Sequence, residues 1–469
     1  MKHTKIVATF GPAVDDIDRL VRLQQEGVNA FRVNCSHGDE SSFRAAAGKI
    51  KEAGRNNEFP IGLLFDISGP KLRLDRFKGE YPLEVGDELS LTAGETKLKD
   101  ATIGVNHPAI IDSVNKGDRL FVDDGNICLE VTDRSGDEIR LKSLTEAVLL
   151  PGKGVNLPDS GITIPTISEK DKRDIKTAVE VGADFIALSF VRSGDDIIEA
   201  RKLLQQYGGR QKVLAKLERR EAVETLEDIL MLSDGVMIAR GDLGVELPPD
   251  QLPRLQKQII RMANRHRKPV IVATQMLESM RFAPRATRAE INDVASAVFD
   301  KADAVMLSAE TATGGYPTEA VRTMTATIVD AEKESATLKP EIEQSLLKSP
   351  IPYAIAEAVM GANQYCKTDL IYAFTTSGYT AELISNLFPP QSVIALSPDQ
   401  EVCNQLSLFR SVYAVRVNQP QSFDDMLTMV NDLSLKRKLT KRGNRVIMTG
   451  GAPFGSNSPT NFMLVHEVF

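Results

Sequence analysis

Residues 212–247 read KVLAKLERREAVETLEDILMLSDGVMIARGDLGVEL and carry the chain's densest set of reactive side chains. The apolar run Lys212–Leu217 ends in Glu218, and a second run, Gly235–Ala239, ends in Arg240, Gly241 and Asp242. The stretch reads as strand, helix, strand, with an acid at the carboxyl end of each strand. Parallel strands joined by crossover helices bring such ends to one side. Two carboxylates then meet beside Lys216, as a divalent cation and an anionic substrate require. Alternate strand residues share a face, so Lys216 and Glu218 point the same way. The lysine charge there suits a transferring phosphoryl group or a developing enolate. The plainer reading of these charges is an ion pair of Lys216 with Glu218.

Other segments carry related chemistry. In GVNAFRVNCSHG, Arg32 has the fork that clamps a phosphate, followed by Asn34, Ser36 and His37. Thr274 follows another apolar run and suits a substrate carboxylate or a proton relay. The loop Thr375-Thr376-Ser377-Gly378-Tyr379-Thr380 follows a strand-like run, and its amides and hydroxyls could cradle a phosphate. The basic run RMANRHRK at 261–268 lies where a helix ends before Pro269, so it reads as dipole-complementing surface charge rather than an RNA site.

These residues need a scaffold that gathers strand ends. Short β-branched runs occur at Lys5–Thr9, Ala30–Val33, Ile61–Phe65, Asp184–Phe190, Val213–Leu217, Val236–Ala239, Val270–Ala273 and Ala304–Leu307. Eight runs without alternation, separated by helical stretches, predict a (β/α)8 TIM barrel whose strands are buried on both faces. Ser168 is the predicted N-cap of one such helix, with Ile175, Ala178 and Val179 on its apolar face and Gly182 as its stop. Polar groups follow nearly every run, among them Asp66, Ser189 and Ser308. In a barrel that end holds the active site.

Residues 70–164 break the rhythm. They alternate apolar and polar residues between Gly-Asp and Ser-Gly turns, which predicts an all-β domain inserted in a barrel loop and acting as a lid. After Leu338-Lys339-Pro340 the texture changes again. A helix over 351–364 and runs at Leu370–Phe374, Val393–Leu396, Val412–Val417 and Val446–Met448 predict a C-terminal α/β domain. The expected boundaries are 1–69 with 165–340 for the barrel, 70–164 for the lid and 341–469 for the C-terminal domain.

Composition sets limits. A chain of 469 residues exceeds one ordinary core. A net charge of −7 gives no support to a nucleic-acid or anionic-membrane partner. Cys35, Cys128, Cys366 and Cys403 show no CxxC spacing, which fits a reducing compartment rather than a disulfide framework or structural zinc. The N-terminal apolar run is too short for a signal-peptide core, and no run approaches the roughly 20 residues of a membrane span. A cytoplasmic location is expected.

TKIVATFGPA, FRVNCSHG, KGVNLP, AKLE, DGVMIARGDLGVE, ATQMLESM, TRAE and VMLSAETATGGYP together resemble the pyruvate kinase family. The resemblance implies transfer of a phosphoryl group from phosphoenolpyruvate to ADP, giving pyruvate and ATP. It implies that Lys216 stabilises phosphoryl and enolate charge, and that Glu218 and Asp242 hold Mg2+, for which Mn2+ can substitute. Gly241 and Asp242 amides with Thr274 would hold the substrate carboxylate, and Arg32 its phosphate. Asn34, His37, Arg73 and Lys153 are matched to nucleotide binding, and Thr274 with Ser308 to enolate protonation. It also implies an inserted β-barrel lid, a homotetramer, and a phosphosugar or AMP effector at Thr375, Thr376, Ser377, Gly378 and Thr380.

Two segments depart from the family pattern. Most members read Asp-Thr-Lys-Gly-Pro-Glu where this chain reads Asp66-Ile67-Ser68-Gly69-Pro70-Lys71. The family's K+ pocket corresponds to Asn34, Ser36, Asp66 and the backbone of Ile67. Lys71 is similar to the potassium-independent branch, in which an ammonium supplies the ion's charge, so K+ is expected to be dispensable. In the last third, Gly450-Gly451-Ala452-Pro453-Phe454-Gly455 replaces the family's tryptophan-containing loop, and the chain has no Trp. A metal-dependent aldolase or lyase acting on pyruvate enolates, or an inactive phosphosugar sensor, would share part of this pattern. Dependence of turnover on ADP separates them.

Overall fold

The eight apolar runs become the eight strands of one closed barrel in the computed structural model, which describes residues 1–55, 57–161, 164–334, 349–453 and 458–469. The strands are Lys5–Thr9, Ala30–Asn34, Gly62–Ile67, Phe185–Leu188, Lys212–Leu217, Gly235–Ala239, Val270–Ala273 and Ala304–Leu307. Each pairs in parallel with its sequence neighbour, and the first closes on the eighth with Lys5 opposite Ala304. The fourth strand is shorter than its run. It stops at Leu188 because Phe190 takes a left-handed φ of 55° and turns its amide to the fifth strand's end.

The barrel interior is packed, not open. Val7, Leu64, Phe185, Leu214, Met237, Ile271 and Met306 form one buried cluster, and Leu408 from the C-terminal domain joins it. Two residues further along the same strands the character changes. Leu64 is followed on its face by Asp66, Ala30 by Arg32, and Leu214 by Lys216. The period of two therefore places an apolar plug below and a charged layer at the carboxyl end. A larger core of helix and strand faces surrounds the barrel. Ser168 caps the helix Glu169–Glu180 in a capping box with Asp171, and Ile175 and Ala178 are buried on its inner face.

Residues between the third and fourth barrel strands form a separate β region with its own core, running from Leu74 to Ile164. Its strands make a six-stranded sheet and a two-stranded ribbon, with a short helix at Ala109–Asp112. The expected β-barrel is thus not one closed ladder among the described residues. The two-stranded ribbon, Tyr81–Leu83 with Ala147–Leu149, joins the rest through packing, not through a continuous hydrogen-bonded rim.

The C-terminal domain is a five-stranded sheet in the order Val412–Arg416, Ser392–Ser397, Leu370–Phe374, Arg445–Gly450, Phe462–Glu467. The first four are parallel and the last is an antiparallel edge. That edge strand had not been anticipated, because Phe462–Glu467 is only partly buried and has no clean alternation. The expected boundary at 340/341 lies outside the described residues, as do Phe454 and Gly455. No helix among the described residues is long and apolar enough to cross a membrane.

Candidate active site

The charged layer converges on Lys216. Its ammonium lies 2.7 Å from Glu218 Oε1 and 3.0 Å from Asp66 Oδ1, and it donates to Ser189 Oγ at 2.7 Å. Both acids are 2% exposed. Burial works against the lysine charge, but Asp66 and Glu218 outweigh it and hold the Lys216 pKa above its ordinary value. Burial likewise opposes the Asp66 charge, and Lys216 and Arg32 prevail, keeping its pKa below the usual carboxylate value. Arg32 Nε donates to Asp66 Oδ2 at 2.6 Å, and its other arm reaches Thr9 Oγ1 at 3.1 Å. Asp66 is thus the shared counter-ion of two cations that both face the barrel mouth.

Glu218 divides its oxygens, one on Lys216 and the other accepting the Phe190 amide at 2.8 Å. Gly69 packs against this turn. Its φ is +64°, and a Cβ there would sit 2.8 Å from the Phe190 ring. Asp242 differs from Glu218. It opens the short helix Arg240–Glu246, and its carboxylate has no hydrogen bond or ion pair among the described residues. Burial and the neighbouring Glu218 push its pKa up to about 7, while Lys216 and Lys71 pull the other way. Two carboxylates with one cation short between them fit a divalent ion that takes only one or two protein acids. No group of three or more His, Cys, Asp or Glu suited to a metal occurs among the described residues.

The seventh strand supplies Thr274 in a left-handed conformation, φ 69°, followed by Gln275 at φ 54°. Thr274 Oγ1 accepts the Gly241 amide at 2.8 Å and donates to the Ala273 carbonyl at 2.6 Å. Arg240 braces this strained pair. Its guanidinium donates to the Thr274 carbonyl at 2.7 Å and the Gln275 carbonyl at 3.1 Å, and it pairs with Asp293 at 2.7 Å. After the eighth strand, the buried Ser308 hydroxyl has no hydrogen-bond partner among the described residues, while its amide donates to Glu310 at 2.7 Å. A free buried hydroxyl at a barrel mouth is available to substrate or water.

A cleft of about 310 Å3 lies between the barrel and the inserted β region, and of the groups above Asp242 and Phe190 line it. Lys71, Arg73 and Lys153 line it together with Asp123, Asp124 and Asp242. Arg73 donates to the Gly152 carbonyl at 2.8 Å, and Lys153 pairs with Asp123 at 2.7 Å. Lys71 Nζ makes no hydrogen bond or ion pair among the described residues. Burial, Lys216 and Arg73 lower its pKa, opposed by Asp66 and Asp242. Its charge is therefore felt at the site, although it makes no hydrogen bond or ion pair with Asn34, Ser36 or Asp66 among the described residues. Asn34 Oδ1 accepts the Ser36 amide at 3.1 Å, Cys35 N donates to the Asp66 carbonyl at 2.9 Å, and Ile67 ends the third strand beside them. His37 is exposed at the rim, its pKa lowered by partial burial and by Lys71 and Arg73.

The loop at 375–380 lies elsewhere, at the carboxyl ends of the C-terminal sheet. Thr375, Thr376, Ser377 and Thr380 line a cleft of about 400 Å3 where the strand order reverses. Gly378, at φ +88°, precedes the helix Tyr379–Ser385, and its amide donates to Thr375 Oγ1 at 2.9 Å. Thr380 is engaged with Thr460 at 2.6 Å.

The sequence alone assigns no role to Thr9, Ser189, Arg240 or Glu310, and it places Asp66 only in the monovalent-cation pocket. Each sits on or just after a barrel strand, which was the available signal. Which partner each side chain chooses depends on cross-strand register, and no spacing along one strand encodes that.

Comparison with known proteins shows the family. Residues 1–321 match the family model "Pyruvate kinase, barrel domain", and residues 353–466 match "Pyruvate kinase, alpha/beta domain". The chain is 37% identical over 476 residues to a pyruvate kinase of Geobacillus stearothermophilus, covering all of this chain and 80% of that protein. It is 38% identical over 474 residues to one of Bacillus licheniformis, covering all of this chain and 81% of that protein. A pyruvate kinase of Staphylococcus aureus strain MRSA252 is 37% identical over 476 residues, with 100% and 81% coverage. Matched along its barrel and its C-terminal sheet, the chain belongs to the pyruvate kinase family.

Proposed function

We propose that this phosphotransferase moves the phosphoryl group of phosphoenolpyruvate to ADP, giving pyruvate and ATP. The observation that carries the reading is Lys216, held between Asp66 and Glu218 and felt by Asp242, which lines a cleft together with Arg73 and Lys153. Lys216 and Arg32 neutralise the phosphoryl group as it leaves one oxygen and meets another. The Gly241 and Asp242 amides with Thr274 orient the carboxylate, and the lid cations hold the diphosphate. Asn34 and His37 flank the nucleotide at the rim. A proton reaches the enolate carbon from the Thr274 and Ser308 side. Positioning and charge neutralisation supply most of the rate in this class of reaction.

Glu218 and Asp242 are the residues that would hold a divalent cation, Mg2+ or Mn2+. When bound, that ion supplies charge neutralisation to the enolate and phosphoryl oxygens. Lys71 stands in for K+ beside Asn34, Ser36, Asp66 and Ile67, acting through space on Asp66 and Asp242. The reading also takes the enzyme as a cytoplasmic homotetramer. The cleft at 375–380 would receive a phosphosugar or AMP effector through hydroxyls and amides, because no lysine or arginine lines it among the described residues.

The test is turnover of phosphoenolpyruvate with and without ADP and Mg2+. Pyruvate formation that needs both supports the reading. Pyruvate released without ADP contradicts it.

A further inference from the structure

The lid is joined to the barrel by two chain crossings, one leaving after the third strand and one returning before the helix Glu169–Glu180. A single carboxylate holds both. Asp171 is fully buried, and its two oxygens are divided between the crossings. Oδ1 accepts the Ser68 hydroxyl at 3.0 Å and the Gly69 amide at 3.2 Å, both on the outgoing segment. Oδ2 accepts the Ser168 amide at 2.8 Å and the Ser168 hydroxyl at 2.5 Å, both on the returning segment. A helix cap explains the second pair alone. The first pair reaches back 103 residues in sequence and has no capping role.

The outgoing segment runs directly into Pro70, Lys71 and Arg73, which line the cleft. The adjacent Lys170 ties in the neighbouring loop, donating to the Cys35 carbonyl at 2.6 Å between Asn34 and Ser36. One helical turn therefore grips both lid crossings and the loop after the second strand. We propose that Asp171 is a positioning residue: it pins the two lid crossings to each other and so sets the placement of Lys71 and Arg73 over the barrel mouth. Charge-assisted hydrogen bonds to amides and hydroxyls are strong and directional, and here they are shielded from water. Asp171 touches neither substrate and acts only through the loop it holds.

This inference rests on the nucleotide being held by Arg73 and Lys153 from the lid. Phosphoenolpyruvate is gripped by the barrel residues Arg32, Lys216 and Gly241, which Asp171 does not hold. In Asp171→Asn one oxygen becomes an NH2 facing donors, so one crossing is released. The expected result is an ADP KM raised about five- to tenfold with the phosphoenolpyruvate KM within about twofold. Hydrogen exchange at the Gly69 amide, measured without substrates, should rise in the same variant. Ser68→Ala leaves the helix cap intact and should shift both readouts in the same direction by less. Ser422→Ala removes an N-cap in the C-terminal domain and should lower the melting temperature without moving either KM. An unchanged ADP KM and unchanged Gly69 exchange in Asp171→Asn overturn the proposal. Should that variant fail to fold, the same null result in Ser68→Ala overturns it. Because exchange needs no turnover, an inactive wild-type enzyme would remove the functional reading while the pin is still tested.

Discussion

Lys216 is outnumbered by the acids around it. One ammonium serves two buried carboxylates, and they hold its pKa above the ordinary lysine value. Removing it would leave Asp66 with Arg32 alone and Glu218 with no cation, a costly arrangement in a buried setting. Lys216→Met should lower kcat by at least about 10²–10³-fold, and it should destabilise the fold by roughly 3–5 kcal/mol. Steady-state kinetics and thermal melting read the two effects separately. A variant that melts lower but keeps its kcat would restrict Lys216 to a structural role. Lys71 makes the opposite case, a cation with no ion-pair partner among the described residues. Lys71→Glu should turn an enzyme indifferent to K+ into one activated by it, read as turnover in K+ against tetramethylammonium. Equal rates in both media for the variant, or strong K+ activation of the wild type, would remove Lys71 from that role.

At the scale of elements, the barrel was legible because eight buried strands leave eight unalternating apolar runs, and all eight were found. Strand ends were less legible. The fourth strand stops at Leu188 because Ser189 and Phe190 are recruited by Lys216 and Glu218 of the next strand. A pairing across two strands leaves no local trace in the sequence of either. The same limit hid Arg240, which reads as part of a motif but acts as the brace of a loop on another strand. Lysine cannot reproduce its fork over the Thr274 and Gln275 carbonyls. Arg240→Lys should therefore release a loop held in two consecutive left-handed conformations and lower kcat about 10²-fold, the usual effect of a misplaced binding group. Retained activity would show that the loop holds its shape without the brace.

The three domains are not equally written in the sequence. The lid's alternation and the C-terminal runs were clear, but the lid's division into a sheet and a separate ribbon was not, nor was the last edge strand. The junction of barrel and C-terminal domain leaves no signal in the sequence, since it is built from residues that look ordinary in isolation. Leu408 joins the core inside the barrel. Asp184, at the start of the fourth strand, accepts the Leu63 amide at 2.7 Å, and burial pushes its pKa up to about 7. With a folded pKa above the unfolded value, the native state keeps a proton that the unfolded chain has lost. Stability from this group therefore falls as pH rises from about 4 to about 7 and stays low above. Asp184→Asn should raise the melting temperature by several degrees near about pH 8 and by clearly less near about pH 5. An equal shift at both pH values would contradict that account.

Phosphoryl transfer from the barrel site to the lid site, as proposed, has a spectroscopic signature. Phosphorus NMR of the enzyme with phosphoenolpyruvate, ADP and Mg2+ tests it most directly. The phosphoenolpyruvate signal is expected to be replaced one for one by the γ-phosphate of ATP, with an equal amount of pyruvate. Inorganic phosphate in its place, or an unchanged spectrum with folded enzyme, would contradict it.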